Sequence, residues 1–513
     1  MTPLPEGFGL TLDRSVRRFR DGRVLVGGHP GRLVTLSADG VTALAALLDD
    51  RPVTAGARGL AGRLVAAGLA HPRRTAVPPR ATRPTVTVVV PARDRVDELE
   101  SCLASLTPGP PVLVIDDGSD DPAAVAERCA AHGARVLRRD VNGGPAAARN
   151  EAIAAVDTDL VAFVDSDCTV EEGWLEALVD LFEDPGIAAV APRILPGGGT
   201  GAPSSALERY AGARSPLDMG PAPGEVGPER LVRYVPTAAL VVRRAALSGP
   251  PDGPGEAGVP GPPGPGPFDP ALRVGEDVDL VWRLVDQGWR IRYQPSVSVH
   301  HREPTRWRRL LARRYRYGTS AGALARRHPG RLAPVDLRPW PTAVASALVT
   351  GRPRAAVAGL VAAAVALDRE LGDHGIPFSQ VLRWSAGGVG WTLIGVARAA
   401  TMVGGPVMVA GVVLGPRRAR VLGTLALVGP PAVEWWRRRP PLDPFRWIAT
   451  AVADDMAYGL GVWAGCIAAR TWSPLVPSFH RSWSSASSGP AEPGTLDPPG
   501  GGSIDAPDQG RNS

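Results

Sequence analysis

Two carboxylates one residue apart, Asp165 and Asp167, close the apolar run Val161-Ala-Phe-Val164. Alternate residues of extended backbone share a face, so both can turn toward one ligand. Hard oxygen donors of this kind suit a divalent cation, Mg2+ or Mn2+, that keeps some of its water and takes further ligands from a phosphate-bearing substrate. Alone, the pair is better read as the end of a strand and the cap of a turn. Other chemistry-bearing groups stand at intervals around it: Pro91-Ala-Arg93-Asp94, Asp116-Asp117-Gly-Ser119, Asn142-Gly143-Gly-Pro145 followed by Arg149 and Asn150, Glu276-Asp277, and His300-His301. Each also has a plain structural reading. Asp116 and Asp117 suit a strand-to-helix turn with an N-cap, Asn142-Gly-Gly a tight turn, and Asp277 a first-turn acid favoured by the helix dipole. The Asn142 turn does not fit the Gly-x-Gly-x-x-Gly dinucleotide fingerprint.

These groups need elements to hold them. Thr85 to Val90, Val112 to Ile115 and Leu160 to Val164 are short apolar runs of the kind that form strands covered on both faces, and Ala134 to Leu137 falls in the place of another strand. Helical patterns over 97–106, 123–132 and 146–155 separate them. Such alternation makes an α/β, doubly wound, mostly parallel sheet, which binds ligands at the carboxyl ends of its strands. A helix around 174–182, strands at 188–192, 235–242, 290–293 and 296–299, and a helix from Val278 are expected to complete it. Residues 195–229 read as irregular. The Gly and Pro rich stretch 249–267 reads as a loop, too short for a collagen helix.

Taken in order, the motifs over 85–316 resemble the family 2 inverting glycosyltransferases of GT-A fold. That resemblance implies a nucleotide-sugar site of Pro91, Arg93, Asp116, Asp117, Asn142, Gly143, Arg149, Asn150 and Asp165, with Pro91 and Asp117 on the base. It also implies that Asp165 and Asp167 form the DxD pair, that Asp277 is the catalytic base, and that His300, in preference to His301, is a further metal-side ligand. The chemistry asks for the same types. Expelling a nucleoside diphosphate from an anomeric carbon needs charge compensation on the leaving oxygens. The incoming hydroxyl needs a base. One base without a second nucleophile gives inversion.

The flanks define the remaining domains. Residues 1–80 hold short strands and two helical patterns, an α+β, winged-helix-like module that resembles small peptide-recognition domains, in which an extended peptide joins a sheet edge; an N-terminal packing domain without a ligand fits the same residues equally well. The core is expected over 84–318. Residues 319–472 are rich in Ala, Gly, Val and Leu, and 386–414 carries Arg398 as its one charge, enough to span or lie on a bilayer. The Ser, Pro and Gly rich stretch 473–513 is expected to be disordered. Four widely spaced cysteines indicate neither a disulfide scaffold nor a zinc site, and residues 1–30 lack a signal-peptide pattern. A net charge of +6 suits an anionic ligand or a membrane surface, with no basic and aromatic interleaving to suggest nucleic acid. The whole chain resembles the mycofactocin-system glycosyltransferases. This implies transfer of a hexose, with glucose from UDP-glucose as the first candidate, to the peptide-derived precursor premycofactocin, building a β-linked oligosaccharide at the cytoplasmic face of the cell membrane. The alternatives are a membrane polysaccharide or lipid-linked sugar transferase, and a non-catalytic scaffold that recruits a peptide.

Overall fold

The computed structural model describes residues 3–51, 53–75, 83–197, 205–248, 266–479 and 495–496, in two compact units. The first comprises Met1–Ala81 with Ala486–Ser513, the second Thr82–Ser485. In the first, β1 (Phe8–Leu12), β2 (Arg17–Phe19), β3 (Val24–Gly27), β4 (Arg32–Leu36), α1 (Ala38–Leu48), α2 (Ala55–Ala66) and β5 (Ala70–Arg74) follow one another. Strands β2, β3 and β4 form an antiparallel meander, and β1 pairs with β5. Ser37 and Thr54 start the helices by accepting from the Gly40 and Ala57 amides, the usual N-cap arrangement. Leu10, Leu25, Leu36, Leu47, Leu60 and Leu64 fill the core. The Pro and Arg rich stretch 72–84, which reads from its composition as a linker, begins inside β5, and most of it falls outside the described residues.

The second unit begins with β6 (Val86–Ala92), α3 (Val96–Leu106), β7 (Val112–Asp116), α4 (Pro122–Ala131), β8 (Arg135–Arg138), α5 (Pro145–Ala154) and β9 (Leu160–Val164). The four strands are parallel in the order β8-β7-β6-β9. All of β9 is buried, as its unbroken apolar run demands. The chain continues through β10 (Cys168–Val170), α6 (Trp174–Val179), β11 (Ile187–Pro196), α7 (Ala206–Ala213), β12 (Gly224–Glu225), β13 (Ala239–Arg243), α8 (Glu276–Asp286) and β14 (Arg290–His301). Strand β13 runs antiparallel between β9 and β11, so the sheet is mixed. Helix α7 sits in a stretch expected to be irregular. Ser205 and Glu208 form a capping box that starts it, and the Ser-x-x-Glu signal was present in the sequence. The two strands expected at 290–299 are one, β14, interrupted by a register shift against β11 around Pro295, which has no amide to donate. The loop expected over 249–267 lies, except for its last two residues, outside the described residues.

Helices α9 (Trp307–Arg327), α10 (Pro339–Val349), α11 (Pro353–Leu371), α12 (Phe378–Leu414), α13 (Arg417–Arg438) and α14 (Pro444–Ala469) belong to the same unit as the sheet. α12 is kinked at Gly404, just before Pro406. Among the described residues it is the one helix long and apolar enough to cross a membrane, with 17% of its most apolar stretch buried. The short strands β15 (Asp336–Leu337) and β16 (Ser478–Phe479) pair in parallel, so the chain stays ordered past Ser473, where disorder was expected to begin. Residues Thr495–Leu496 pair with β4, and the rest of that expected tail lies outside the described residues.

Helices α9 and α14 touch backbone to backbone. A Cβ at Gly318 or Gly461 would run into the carbonyl oxygen of Tyr458 or Tyr315, and one at Gly322 or Gly465 into that of Gly465 or Thr319. Gly461→Ala is therefore expected to destabilise the unit by about 1–3 kcal/mol, the usual cost of overpacking. In thermal unfolding it should melt below the parent, whereas Gly387→Ala, with open space around the position, should not. Equal melting of the two variants would show that the seam is loose.

Candidate active site

A cleft of about 2340 Å3 runs along the carboxyl ends of β6, β7 and β9 to the start of α8 and on to α9 and α14. Its fixed point is a buried cation. Arg149, 2% exposed on α5, donates from Nη2 to Asp165 Oδ1 and from Nη1 to Glu276 Oε1, both at 2.8 Å. Burial alone would lower its pKa, but Asp165, Glu276 and Asp277 outweigh that and raise it. The guanidinium stays charged and ties the end of β9 to the start of α8. The turn before α5 is locked by Asp117, which accepts from the Gly143 and Gly144 amides at 2.9 and 2.7 Å and from Arg139 Nε at 2.9 Å. Gly144 takes φ +86° there, a conformation that favours glycine.

Asp167 stands at one corner of the cleft. Arg95 Nη1 donates to its Oδ2 at 2.9 Å, and His301 Nε2 lies 3.6 Å from its Oδ1. Burial and Asp165 raise the Asp167 pKa against the pull of His301 and Arg95. Burial lowers that of His301, yet Glu303 and Asp167 carry it upward. Glu303 is itself drawn down to about 2, because hydrogen bonding to His301 and the charge of Arg313 overcome its burial. Among the described residues no group of three His, Cys, Asp or Glu side chains converges on a metal position. The carboxylate of Asp167 with the imidazole of His301 nevertheless offers two donors that suit Mn2+, leaving the other positions to phosphate oxygens and water.

Asp277 follows Glu276, the second partner of Arg149. It sits in the first turn of α8 after Gly275, which takes φ +86°, and its Oδ1 accepts from the Val278 amide at 2.8 Å. Burial raises its pKa to about 7; Glu276 adds to the rise, while that amide bond and Arg149 oppose it. A carboxylate poised there exchanges a proton readily at neutral pH.

Eight of the residues expected in the site line this cleft: Pro91, Arg93, Asp117, Asn142, Arg149, Asp165, Asp167 and Asp277. Four are placed differently. Asp116 is buried behind the wall, accepting from Ser119 N and Arg138 Nη1 at 2.9 and 2.6 Å. Gly143 gives its amide to Asp117. Asn150 spends both ends of its amide on the backbone of Phe268, at 2.7 and 3.0 Å, and so fastens α5 to the segment before α8. His300 turns outward to Glu171 at 3.0 Å, and His301 takes the place beside Asp167. The cause is strand parity: His301 shares a face with the buried Val297 and Val299. The alternation in Val297-Ser-Val299-His-His301 was a usable signal. Arg95, Glu276 and Glu303 join the site without having been singled out for it, and only Glu276 lay in a motif.

The model of glycosyl transferase family 2 matches residues 87–245. A pre-mycofactocin glycosyltransferase of Mycobacterium tuberculosis (strain CDC 1551 / Oshkosh) is 36% identical over 497 residues, covering 93% of this chain and 99% of that protein. Glycosyltransferase AglE of Haloferax volcanii is 28% identical over 250 residues, covering 46% of this chain and 73% of that one. Among solved structures, a mannosyltransferase from Pyrobaculum calidifontis in complex with GDP-Man and Mn2+ is 21% identical, with a TM-score of 0.35, over 62% of this chain and 85% of that one.

The Arg149 bridge makes a titration prediction. The Asp277 carboxyl, followed by NMR with labelled aspartate and assigned by its loss in Asp277→Asn, should titrate near neutral pH. Arg149→Gln removes a cation that favours the ionised form, so the midpoint should move up. A midpoint in the ordinary carboxylate range, near ~4, would show that Asp277 is not desolvated by the cleft.

Proposed function

Because this chain belongs to the pre-mycofactocin glycosyltransferases, within family 2 of the glycosyltransferases, we propose that it moves a hexose, with glucose as the first candidate, from a UDP-sugar to premycofactocin. Successive transfers would build a β-linked oligosaccharide. The observation that carries this reading is the gathering of Asp277 and the Asp165–Asp167 pair in a single cleft, where one buried guanidinium joins Asp165 to Glu276, the neighbour of Asp277.

In the proposed reaction Asp277 takes the proton of the acceptor hydroxyl as its oxygen bonds to the anomeric carbon. The bond from that carbon to the diphosphate oxygen breaks, and its electron pair leaves with the nucleoside diphosphate. A single displacement inverts the configuration. Pro91, Arg93 and Asp117 are assigned to the base and ribose end, and Asp165 to the ribose side of the DxD pair. Asp167 and His301 would hold a divalent cation, which when bound would compensate the charge of the departing diphosphate.

Two further assignments go with this reading. Residues 1–80 are proposed to recruit an extended peptide, supported by the edge position of β2, which pairs with β3 alone among the described strands. The helices beyond α9 are proposed to hold the enzyme at the cytoplasmic face of a membrane. The support is the exposure of Val421, Leu422, Leu425 and Val428 on α13 close to Arg417, Arg418 and Arg420.

With Mn2+, UDP-glucose and premycofactocin, the full chain should produce a ladder of hexose additions by mass spectrometry. Asp277→Asn should abolish the ladder while still binding UDP. Asp167→Ala should weaken the Mn2+-dependent part of UDP binding. Equal loss of donor binding in the two variants would sink the division of roles. Because the ionised form of Asp277 is the base, turnover should fall as pH drops through about 7. In flotation assays the protein should rise with vesicles containing anionic lipid and lose that association when Arg417, Arg418 and Arg420 are replaced by Gln; flotation unchanged by those replacements would remove the role given to the basic residues.

A further inference from the structure

We propose that Tyr234, Tyr317 and Tyr458 form the acceptor pocket, and that the C-terminal helices complete the active site by roofing it. The inference rests on the transferase reading above and adds the residues that would receive the acceptor.

The cleft is too large for one ligand. Small-molecule sites usually measure roughly 300–1000 Å3, against about 2340 Å3 here. The donor end is defined by Asp117, Asn142 and Asp165. Beyond Asp277 the same cavity continues between the loop before β13, helix α9 and helix α14, where its walls are Tyr234, Tyr317, Tyr458, Leu324, Met402 and Val462. All three tyrosines are half-buried. None of their hydroxyls has a hydrogen-bond partner among the described residues. The three tyrosines line the cleft along one wall, where their hydroxyls can meet the polar groups of a ligand.

Backbone geometry fixes two of the three rings. The glycine seam holds α9 against α14 so closely that a Cβ at Gly318 would meet the Tyr458 carbonyl. On α9, Arg309, Arg313, Tyr317 and Ser320 recur at helical spacing and all line the cleft. On α14, the Tyr458 ring lies under the Arg314 guanidinium at 5.3 Å, and Arg314 Nε reaches Asp454 at 2.7 Å. Tyr234 stands near enough to Tyr458 and Asp277 that, after burial, both raise its pKa. The phenols are therefore neutral donors beside the base.

The lining selects a chemical class. Aromatic rings with Met402, Val462 and Leu324 fit a flat apolar body, and the cleft-lining guanidiniums of Arg309 and Arg316 fit a carbonyl or carboxylate edge. The ligand is thus an aromatic-bodied hydroxyl compound with an electron-rich edge, with its hydroxyl presented to Asp277. A bare oligosaccharide lacks the apolar body.

The test uses the full chain, UDP-glucose as donor and premycofactocin as acceptor. Tyr317→Ala and Tyr458→Ala should each raise the acceptor KM roughly tenfold, the size of one lost aromatic contact with its polar tip. Tyr458→Phe, which keeps the ring and the glycine seam, should melt with the parent and show a smaller rise. The Kd for UDP, measured by calorimetry, should stay within about twofold of the parent in every variant. Transfer at an unchanged acceptor KM in all three variants would overturn the pocket and leave the proposed reaction standing. Loss of UDP affinity in step with the acceptor KM would also overturn it, since the tyrosines would then act on the donor.

Discussion

A buried positive charge organises this molecule. Arg149 cannot be left unpaired, because an isolated guanidinium away from water costs several kcal/mol even after relaxation. Its two partners come from the end of β9 and the start of α8, which are separated by more than a hundred residues of sequence. Satisfying one cation therefore fixes the distance between the two acidic corners. Asn150, the next residue on α5, adds a second tie by clamping the Phe268 backbone. The segment leading to Asp277 is held through these two neighbouring residues.

A similar logic joins the catalytic core to the helices beyond it. Arg214, at the end of α7, pairs with Asp454 and Asp455 of α14 at 2.9 Å each and with Glu434 of α13 at 3.2 Å. Tyr210 adds a hydrogen bond to Asp454 at 3.0 Å. Removing one member would leave the others charged and buried, so the cluster resists partial separation. The glycine seam between α9 and α14 adds close van der Waals packing to this charge lock. Helices set apart from the core by their composition thus contribute to the wall of the cleft.

The parts legible in the sequence are those fixed by local pattern. The buried runs of β6, β7 and β9 announced parallel strands, and their polar ends announced the ligand edge. Strand direction was not legible: the apolar run of β13 reads the same in either sense, and it proved antiparallel. Asn150 and Asp116 turn to the Phe268 backbone and to Ser119 and Arg138, because a motif places a residue near a site without saying which way its side chain turns. His300 was preferred by spacing, while alternation with Val297 and Val299 pointed to His301. The tyrosines of the distant helices carried no motif, since what brings them to Asp277 is packing between segments remote in sequence.

Burial acts on all the cleft carboxylates, yet they diverge because their neighbours differ. Glu303 has His301 and Arg313 against it and is drawn down to about 2 despite being enclosed. Asp277 has Glu276 beside it, and the one cation that opposes burial there, Arg149, is already shared with Asp165 and Glu276, so it rises to about 7. Proteins often separate acid and base roles by pushing neighbouring carboxyl groups apart in this way. Here the separation is spatial as well. The corner of Asp167, His301 and Glu303 pairs its carboxylates with an imidazole and with Arg95 and Arg313, and the corner of Asp277 keeps a group that can change charge. Arg149 joins Asp165, beside the first corner, to Glu276, beside the second, so the charge at Asp277 depends on a cation that also ties the end of β9 to the start of α8.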